Sequence, residues 1–179
     1  MNLHDFTSDD PKQPCIHVPF RDDEYIYATD GRIAIRIPYD ENGDFYNTIQ
    51  KDEELAKGMH AMFANFIEKP DCPMQPIGRG DGWKNLSLKQ PHKITCIDCN
   101  GSREMECGEC NHKEPCTTCH ASGQQTITPF TAFWSCKYQD KHLIAMARLP
   151  NCTLWPDISN KINSFTFTGG EGVISKFYE

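Results

Sequence analysis

The sequence contains no apolar run approaching the roughly 18 residues that a membrane-spanning helix needs. It is also poor in positive charge, because 18 Lys and Arg stand against 25 Asp and Glu and give a net charge of −7. Domains that bind nucleic acid normally carry an excess of Lys and Arg, since these cations displace counterions from phosphates. We therefore expect a chain that neither crosses a membrane nor binds nucleic acid strongly.

Residues 1–10 lack the basic start and the apolar stretch of a secretory signal peptide. Their composition favours a cytoplasmic protein, in which structural disulfides are rare. The ten cysteines of the chain therefore need another explanation. Four of them are scattered, and we expect each to be a small buried apolar side chain: Cys15, Cys72, Cys136 and Cys152.

The motifs that mark common enzyme classes are also absent. There is no Gly-x-Ser-x-Gly, no His-Glu-x-x-His, no phosphate-binding Gly-x-x-x-x-Gly-Lys and no dinucleotide-binding Gly-x-Gly-x-x-Gly. The Gly-rich residues 78–82 lie in a Pro-containing connector and are expected to be loop. We expect a non-enzymatic protein. The alternative is a thiol-redox or zinc-dependent enzyme, which would need a cysteine of low pKa or an open zinc position near a pocket.

Six of the cysteines form three Cys-x-x-Cys pairs within residues 96–119. Each pair places two sulfurs on one tight turn, and two such turns complete the four-sulfur shell of structural zinc. Sixteen residues separate the first pair from the third, which is a spacing typical of zinc ribbons. The sequence therefore predicts one zinc ion bound by the two outer pairs: Cys96, Cys99, Cys116 and Cys119.

The residues that follow the outer pairs, Asn-Gly-Ser-Arg after Cys99 and His-Ala-Ser-Gly after Cys119, resemble the Cys-x-x-Cys-x-Gly-x-Gly repeats of the DnaJ cysteine-rich domain. The resemblance spans about 28 residues and implies a zinc module whose first repeat shares a metal with its last. The chain has three pairs rather than four, and Arg103 replaces the second glycine of the first repeat. No His-Pro-Asp tripeptide occurs, so the J-domain that engages an Hsp70-type partner is lacking.

The middle pair, Cys107 and Cys110, has no fourth pair to complete a metal shell. It could recruit His112 and also His120, which would give a second zinc site with mixed ligands. Alternatively, both histidines are exposed polar residues beside a single zinc ion. The sequence leaves these two interpretations open, so the expected cofactor is one Zn²⁺, with or without a second.

Outside the cysteine pairs, sequence patterns predict an α+β fold: an antiparallel sheet with two helices and an inserted zinc-binding module. The clearest signal is a hairpin over residues 25–37, where Asp30-Gly31 is typical of a two-residue type I′ turn between alternating strands. Such a turn would pair Ala28 with Ile33 and Ile26 with Ile35.

Two helices are expected. Met and Phe residues recur at helical spacing over residues 50–69, ahead of Pro70, and are expected to face the core. A second, shorter helix is predicted over residues 140–149. Between them, residues 70–92 are rich in Pro and Gly and should be connecting chain, with a short strand at 83–88.

The remaining strands are predicted on both sides of the cysteine-rich segment. Residues 126–138 favour a strand, and the chain closes with a hairpin turning at residues 169–172. The cysteine-rich segment would then be inserted between two strands of one sheet. We divide the chain into a sheet domain, residues 1–95 plus 124–179, and a zinc-binding insertion, residues 96–123.

Residues 27–34, Tyr-Ala-Thr-Asp-Gly-Arg-Ile-Ala, resemble the Ala-Thr-Asp-Gly-His-Arg-Leu-Ala stretch of bacterial DNA polymerase sliding clamps. The helix after this hairpin, the late helix and a last strand over residues 172–177 follow the order of a clamp domain. This resemblance touches about 60 residues and implies a clamp-like sheet domain. In combination, the hairpin, the zinc insertion and the glycine-rich ending also resemble small proteins of bacteria and their phages.

These observations favour a cytoplasmic, non-enzymatic zinc-binding protein that acts through protein–protein contacts, with no membrane association. The insertion carries five acidic residues against Arg103 and Lys113, so nucleic acid is not expected to bind through it. The first alternative is a clamp-like replication accessory that contacts DNA or a polymerase, and it would require Lys and Arg concentrated on one face. The second alternative is the redox or zinc-dependent enzyme.

Overall fold

The computed structural model describes residues 1–10, 12–40, 49–66, 86–106, 109–110, 112–133, 136–155 and 160–177. Within them lie two α-helices, α1 (Glu53–Phe66) and α2 (Asp140–Ala147), and twelve strands. In chain order, the strands are β1 (Phe20–Arg21), β2 (Tyr25–Thr29), β3 (Ile33–Pro38), β4 (His92–Thr95), β5 (Glu104–Glu106), β6 (Lys113–Pro115), β7 (Gln124–Ile127), β8 (Phe130–Phe133), β9 (Cys136–Gln139), β10 (Thr153–Trp155), β11 (Ile162–Phe167) and β12 (Gly170–Ser175).

Six strands form the main sheet, in the order β1-β2-β3-β12-β11-β10, with every neighbouring pair antiparallel. The other six form three two-stranded sheets: β4 with β7, β5 with β6, and β8 with β9. The predicted fold class is confirmed, since the structure is α+β with two helices, a mainly antiparallel sheet and a compact cysteine cluster. No helix in the described part of the chain is long and apolar enough to span a bilayer.

Both faces of the main sheet are buried, so its strands carry apolar residues on both sides. On one face, α1 packs through Ala56 and Phe63 against Tyr27, Ala34 and Val173. The expectation that the apolar side of this helix faces the core is therefore met. The helix begins at Glu53 rather than residue 50, and residues 67–69 of the predicted helix lie outside the described residues.

On the other face, α2 and the β8–β9 hairpin cover the sheet. Leu143 and Met146 of α2 join Tyr138 of β9 in a buried cluster with the inward residues of the β2–β3 hairpin. Two of the scattered cysteines also belong to this cluster, namely Cys136 and Cys152, as predicted.

The prediction for the other two scattered cysteines has a different outcome. Cys15 is exposed, so its predicted burial is wrong. It lies in a short 3-10 helix, Pro14–Ile16, none of whose residues is buried. Cys72 lies outside the described residues.

The β2–β3 hairpin exists, but its turn is longer than predicted. β2 ends at Thr29 and β3 begins at Ile33, which leaves a three-residue loop, and Ala28 faces Ile35 rather than Ile33. The cause is the Asp30 side chain, which accepts hydrogen bonds from the N–H groups of Arg32 and Ile33 at 2.9 and 3.0 Å and so holds a wider turn. The pairing shifts by two residues, so the same side chains still face the core.

Three other strand predictions need correction. The predicted strand 126–138 is broken by Pro129 into the end of β7 and the β8–β9 hairpin. Residues 86–88 are not strand, and residues 83–85 lie outside the described part of the chain. The closing hairpin turns earlier than predicted, because β12 already begins at Gly170, and Gly172 lies opposite Phe165 in the sheet. A Cβ atom at Gly172 would overlap the Phe165 ring.

The strands that flank the cysteine-rich segment pair with each other, through Thr95 and Gln124 at the end nearest the cysteines. They form a two-stranded sheet of their own, so the segment does lie between two strands of one sheet, and that sheet is separate from the main sheet. None of the β4 and β7 side chains is buried, so these strands contribute nothing to a shared core. The proposed domain boundaries themselves stay a prediction.

Candidate metal centre

The candidate metal centre is built from two turns of the same design, 20 residues apart in sequence. The first turn spans residues 96–103 and the second spans residues 116–123. The strand before the first turn pairs with the strand after the second, and the strand after the first pairs with the strand before the second. The strand pairing is thus reciprocal between the two halves, and it brings the two Cys-x-x-Cys pairs face to face.

Left-handed backbone conformations close both turns. In the first, Asn100 and Gly101 have φ of +47° and +82°, and in the second, His120 and Ala121 have φ of +49° and +57°. This conformation is unfavourable for residues with a Cβ atom and routine for glycine. Glycine is therefore the residue that the backbone path favours at these positions, and Gly101 is the one of the four that meets this preference.

Matching hydrogen bonds connect the halves. The N–H of Cys96 donates to the carbonyl of Gly123 at 3.0 Å, and the N–H of Cys116 donates to the carbonyl of Arg103 at 2.9 Å. The Thr118 hydroxyl of the second turn also donates to the Asp98 carboxylate of the first. These bonds fix the position of each first cysteine against the opposite turn.

A serine stabilises each turn from within, and sequence reasoning did not single out either one. The N–H of Ser102 donates to the Cys99 carbonyl at 2.8 Å, and the N–H of Ser122 donates to the Cys119 carbonyl at 3.0 Å. Both hydroxyls donate to the carbonyl two residues further on. The signal that could have revealed them is the identical Cys-x-x-Cys-x-x-Ser spacing in the two outer repeats.

The four outer sulfurs converge at the centre of this arrangement. The Sγ atoms of Cys96 and Cys116 lie 3.8 Å apart, those of Cys99 and Cys119 lie 3.7 Å apart, and all four lie within 4.8 Å of one another. A tetrahedron of Zn–S bonds of ~2.3 Å has S–S edges of about 3.8 Å. All four side chains are buried and none forms a disulfide. The predicted set of four cysteines is therefore brought together in a geometry that could bind a metal ion such as zinc.

The protonation of these thiols also suits a metal ligand. Burial raises the pKa of the Cys119 thiol, but the Gly123 N–H, which donates to its Sγ at 3.3 Å, and the neighbouring thiols lower that pKa to about 7. For Cys116, the Cys119 backbone lowers the pKa, while burial and the other thiols raise it to about 11. One thiolate is thus readily available near neutral pH, and a bound cation would release the remaining protons.

The residues predicted for a second site are not gathered with the first. Cys110, His112 and His120 are all exposed, and none belongs to the one group of clustered metal-ligand atoms found among the described residues. Cys107 lies outside the described residues. The second zinc site therefore stays a prediction.

A polar cavity of about 460 Å³ adjoins the second turn. Its walls include Lys93, Thr118 and His120, and Cys119 borders it although that side chain is only 5% exposed. Elsewhere, Cys152 is buried, and burial raises the pKa of its thiol to about 12.

Comparison with known proteins identified no relative of this chain. No family model, no curated protein and no solved structure matches this chain. Neither the DnaJ-type resemblance of the cysteine repeats nor the clamp resemblance of the hairpin is supported by a match. The fold and the site define the chain as an α+β protein with a four-cysteine centre suited to a metal ion.

Proposed function

We propose that this chain is a non-enzymatic zinc-binding protein that acts through protein–protein contacts, in which zinc holds a module of the DnaJ cysteine-rich type. The observation that carries the proposal is the closed shell of buried sulfurs at Cys96, Cys99, Cys116 and Cys119. Structural zinc sites have four protein ligands, whereas catalytic sites keep a position for water or substrate. Four sulfurs at tetrahedral spacing leave no such position.

Exposed apolar side chains on the module support a role in contacts. Ile97, between the cysteines of the first turn, is 67% exposed, and Met105 on β5 is 43% exposed. Neither contributes to a buried cluster, and the module is acidic. A protein partner with apolar and basic side chains would complement this surface, while phosphates would be repelled.

X-ray absorption at the zinc edge, with metal analysis of the purified protein, tests the proposal. We expect about one zinc per chain with four sulfur ligands near ~2.3 Å and no oxygen ligand. Cys116→Ser should lose the metal, and the matched control Cys15→Ser, at an exposed cysteine away from the cluster, should keep it. An oxygen ligand on the zinc would contradict the proposal and favour a zinc-dependent enzyme acting in the cavity beside Cys119.

The clamp-like replication accessory is the second candidate. It requires Lys and Arg side chains to be concentrated on one face of the protein. Of the arginines on the hairpin, Arg36 points to the α1 face and pairs with Glu171 at 2.5 Å, so it is not available to phosphates. Arg32 lies at the opposite end of the strand pair, in the turn. Titration with duplex DNA decides between the two candidates.

A further inference from the structure

The four sulfurs of the candidate metal centre differ in their access to solvent. Cys96 and Cys116 are 0% exposed, whereas Cys99 and Cys119 are 6% and 5% exposed. The Sγ atoms of Cys99 and Cys119 lie 3.7 Å apart, across the two turns. The second cysteines of the two pairs therefore form an outer edge of the sulfur cluster, and the first cysteines form an inner edge.

A path from solvent leads to this outer edge. The polar cavity of about 460 Å³ has Cys119 in its wall, together with Lys93, His120 and Thr126, and none of the other three cysteines of the cluster borders it. A water molecule takes up about 30 Å³ in the liquid, so the cavity has room for water and for other small polar molecules. Hydrogen peroxide is such a molecule, and we expect it to reach Cys119 before it reaches the inner edge.

The backbone also holds the two edges differently. The first cysteine of each pair donates its N–H to a carbonyl of the opposite turn, so the inner edge is fixed by bonds between the turns. The carbonyls of Cys99 and Cys119 instead accept hydrogen bonds from Ser102 and Ser122, within their own turns. The outer cysteines can therefore approach each other without breaking either of the backbone bonds that join the turns.

The chemistry that this edge allows is two-electron oxidation. A cysteine bound to a metal ion is a thiolate, and the thiolate is the form that peroxides oxidise. Attack of one thiolate on hydrogen peroxide forms an S–O bond, breaks the O–O bond and gives a sulfenic acid and hydroxide. A second thiolate then forms an S–S bond and displaces the hydroxyl group as another hydroxide. Two thiolates are thus oxidised, one peroxide is reduced, and the two hydroxide ions take protons from the solvent.

We propose that Cys119 is the peroxide-sensitive thiol of this centre and that it forms a disulfide with Cys99, which releases the metal ion. The inference rests on the proposed function, because it requires zinc to hold the module. Once the outer sulfurs are joined, Cys96 and Cys116 alone are too few ligands for a structural zinc site. The module then loses the folding free energy that the metal supplies, so oxidation ends the contacts that the module makes.

Peroxide treatment of the zinc-loaded full chain tests the proposal. Zinc release is followed with a chromogenic chelator, and cross-links are mapped by peptide mass spectrometry after the remaining thiols are alkylated. We expect zinc release in step with a Cys99–Cys119 cross-link, and recovery of the metal site after treatment with a phosphine reductant and zinc. The control Cys15→Ser, which removes an exposed thiol away from the cluster, should release zinc at the natural rate.

Two histidine substitutions separate the outer edge from the inner one. Cys119→His and Cys116→His each leave three sulfurs and one imidazole, a ligand set that structural zinc accepts. Cys119→His removes the thiol that borders the cavity, so we expect peroxide to release its zinc at least about tenfold more slowly than from the natural chain. Cys116→His keeps the outer edge, so its zinc should be released faster than that of Cys119→His.

Several outcomes would overturn the inference. One is a first cross-link within a Cys-x-x-Cys pair or to Cys110, and another is equal release of zinc from the two histidine variants. If neither variant binds zinc, the cross-link map of the natural chain still decides. A four-sulfur zinc that peroxide does not release would remove this inference alone, while an oxygen ligand on the zinc before oxidation would contradict the proposed function.

Discussion

Backbone conformation at single residues shapes the candidate metal centre. The final position of each turn, Arg103 in the first and Gly123 in the second, has φ of +74° and +76°. The two positions differ in conformational cost, because glycine adopts this left-handed region without strain and arginine does not. A Cβ atom at Gly123 would also lie 2.8 Å from the Gly101 carbonyl oxygen, which belongs to backbone and cannot move aside. The two glycines thus set how closely the halves approach.

Gly123→Ala should weaken zinc binding. The substitution adds left-handed strain of about 1–2 kcal/mol and the contact with the Gly101 carbonyl, and the folding of a small metal module is coupled to metal affinity. We expect the apparent zinc affinity to fall by about tenfold or more, measured by competition with a chromogenic chelator.

Gly169→Ala is the matched control for this prediction. Gly169, in the β11–β12 turn of the main sheet, has φ of +96°, but nothing lies within 4 Å of the position that a Cβ atom would take there. The substitution therefore adds backbone strain without a steric clash. Its zinc affinity should be unchanged. Arg103→Gly should instead strengthen zinc binding, because it removes left-handed strain. The gain should be at most about 1 kcal/mol once the entropy cost of glycine is included. Equal zinc affinity in Gly123→Ala and Gly169→Ala would contradict the argument.

At the scale of elements, one buried carboxylate joins the β2–β3 hairpin to α2. Asp30 accepts hydrogen bonds from two N–H groups of its own turn and from His142 and Lys141 of α2, at 2.7 and 2.8 Å. Burial alone would raise the pKa of Asp30, but the hydrogen bonds and charges of His142 and Lys141 outweigh it and hold that pKa well below its usual value. The ionised form is therefore the one that the folded state stabilises.

Asp30→Asn should destabilise the chain at neutral pH by about 1.5–3 kcal/mol, the range for hydrogen bonds to charged groups. A group with a lowered folded pKa contributes its full stability above its unfolded pKa, near 4, and loses it as the pH falls towards the folded pKa. The difference in stability between the natural chain and Asp30→Asn should thus shrink as the pH falls below about 4, towards the folded pKa. Urea unfolding at neutral and at acidic pH is the measurement.

The control for this prediction is Asp9→Asn, at an exposed carboxylate near the start of the chain, which should leave stability nearly unchanged. A stability difference for Asp30→Asn that fails to shrink below about pH 4 would show that the folded state does not hold Asp30 ionised.

The elements that sequence could predict are those with strong local signals. The helix at Glu53–Phe66 follows from its apolar spacing, and the four-cysteine set follows from the interval between Cys-x-x-Cys pairs. Both depend on residues close in sequence or on a ligand geometry with few solutions. The inward face of the hairpin was predictable for the same reason, since a shift of two residues preserves it.

What could not be predicted depended on partners distant in sequence or on polar contacts. The hairpin register was decided by the Asp30 side chain, which competes with the two-residue turn that Asp30-Gly31 otherwise favours. The separate pairing of β4 with β7 could not be inferred, because their exposed, weakly apolar sequences carry no signal for a partner. The contact between the rings of Phe130 and Phe177 likewise joins residues that are far apart in the chain.

At the scale of the whole molecule, the cysteine-rich module, residues 96–123, and the main sheet differ in what stabilises them. The main sheet has two large apolar clusters, one on each face. Among its described residues, the module has a single buried cluster, and the members of that cluster are the four cysteines of the candidate metal centre. Its stability should therefore come mainly from the metal, whereas the sheet domain should depend on apolar burial.

Cys116→Ser should unfold residues 96–123 and leave the sheet domain folded. Removing one ligand removes the metal that supplies the folding free energy of the module, and neither of the large apolar clusters includes a residue of the module. We expect protease cleavage confined to the module and a retained cooperative thermal transition. A chelator should have the same effect on the natural chain, and Cys15→Ser should have none. Loss of the cooperative transition in Cys116→Ser would show that the two units do not fold separately.

The overall charge leads to the prediction that decides between the proposed function and the clamp-like candidate. With a net charge of −7 and an acidic cysteine-rich module, the chain can release few counterions from a duplex. Two cations near the β2–β3 hairpin are already committed to carboxylates, Arg36 to Glu171 and Lys141 to Asp30. We expect duplex DNA to bind with a dissociation constant weaker than micromolar at about 150 mM salt, with any binding at low salt lost steeply as salt is added. Sub-micromolar affinity at that salt concentration, abolished by Arg32→Glu and kept by Lys57→Glu, would reject the proposal of a protein-binding chain and favour a clamp-like contact with DNA.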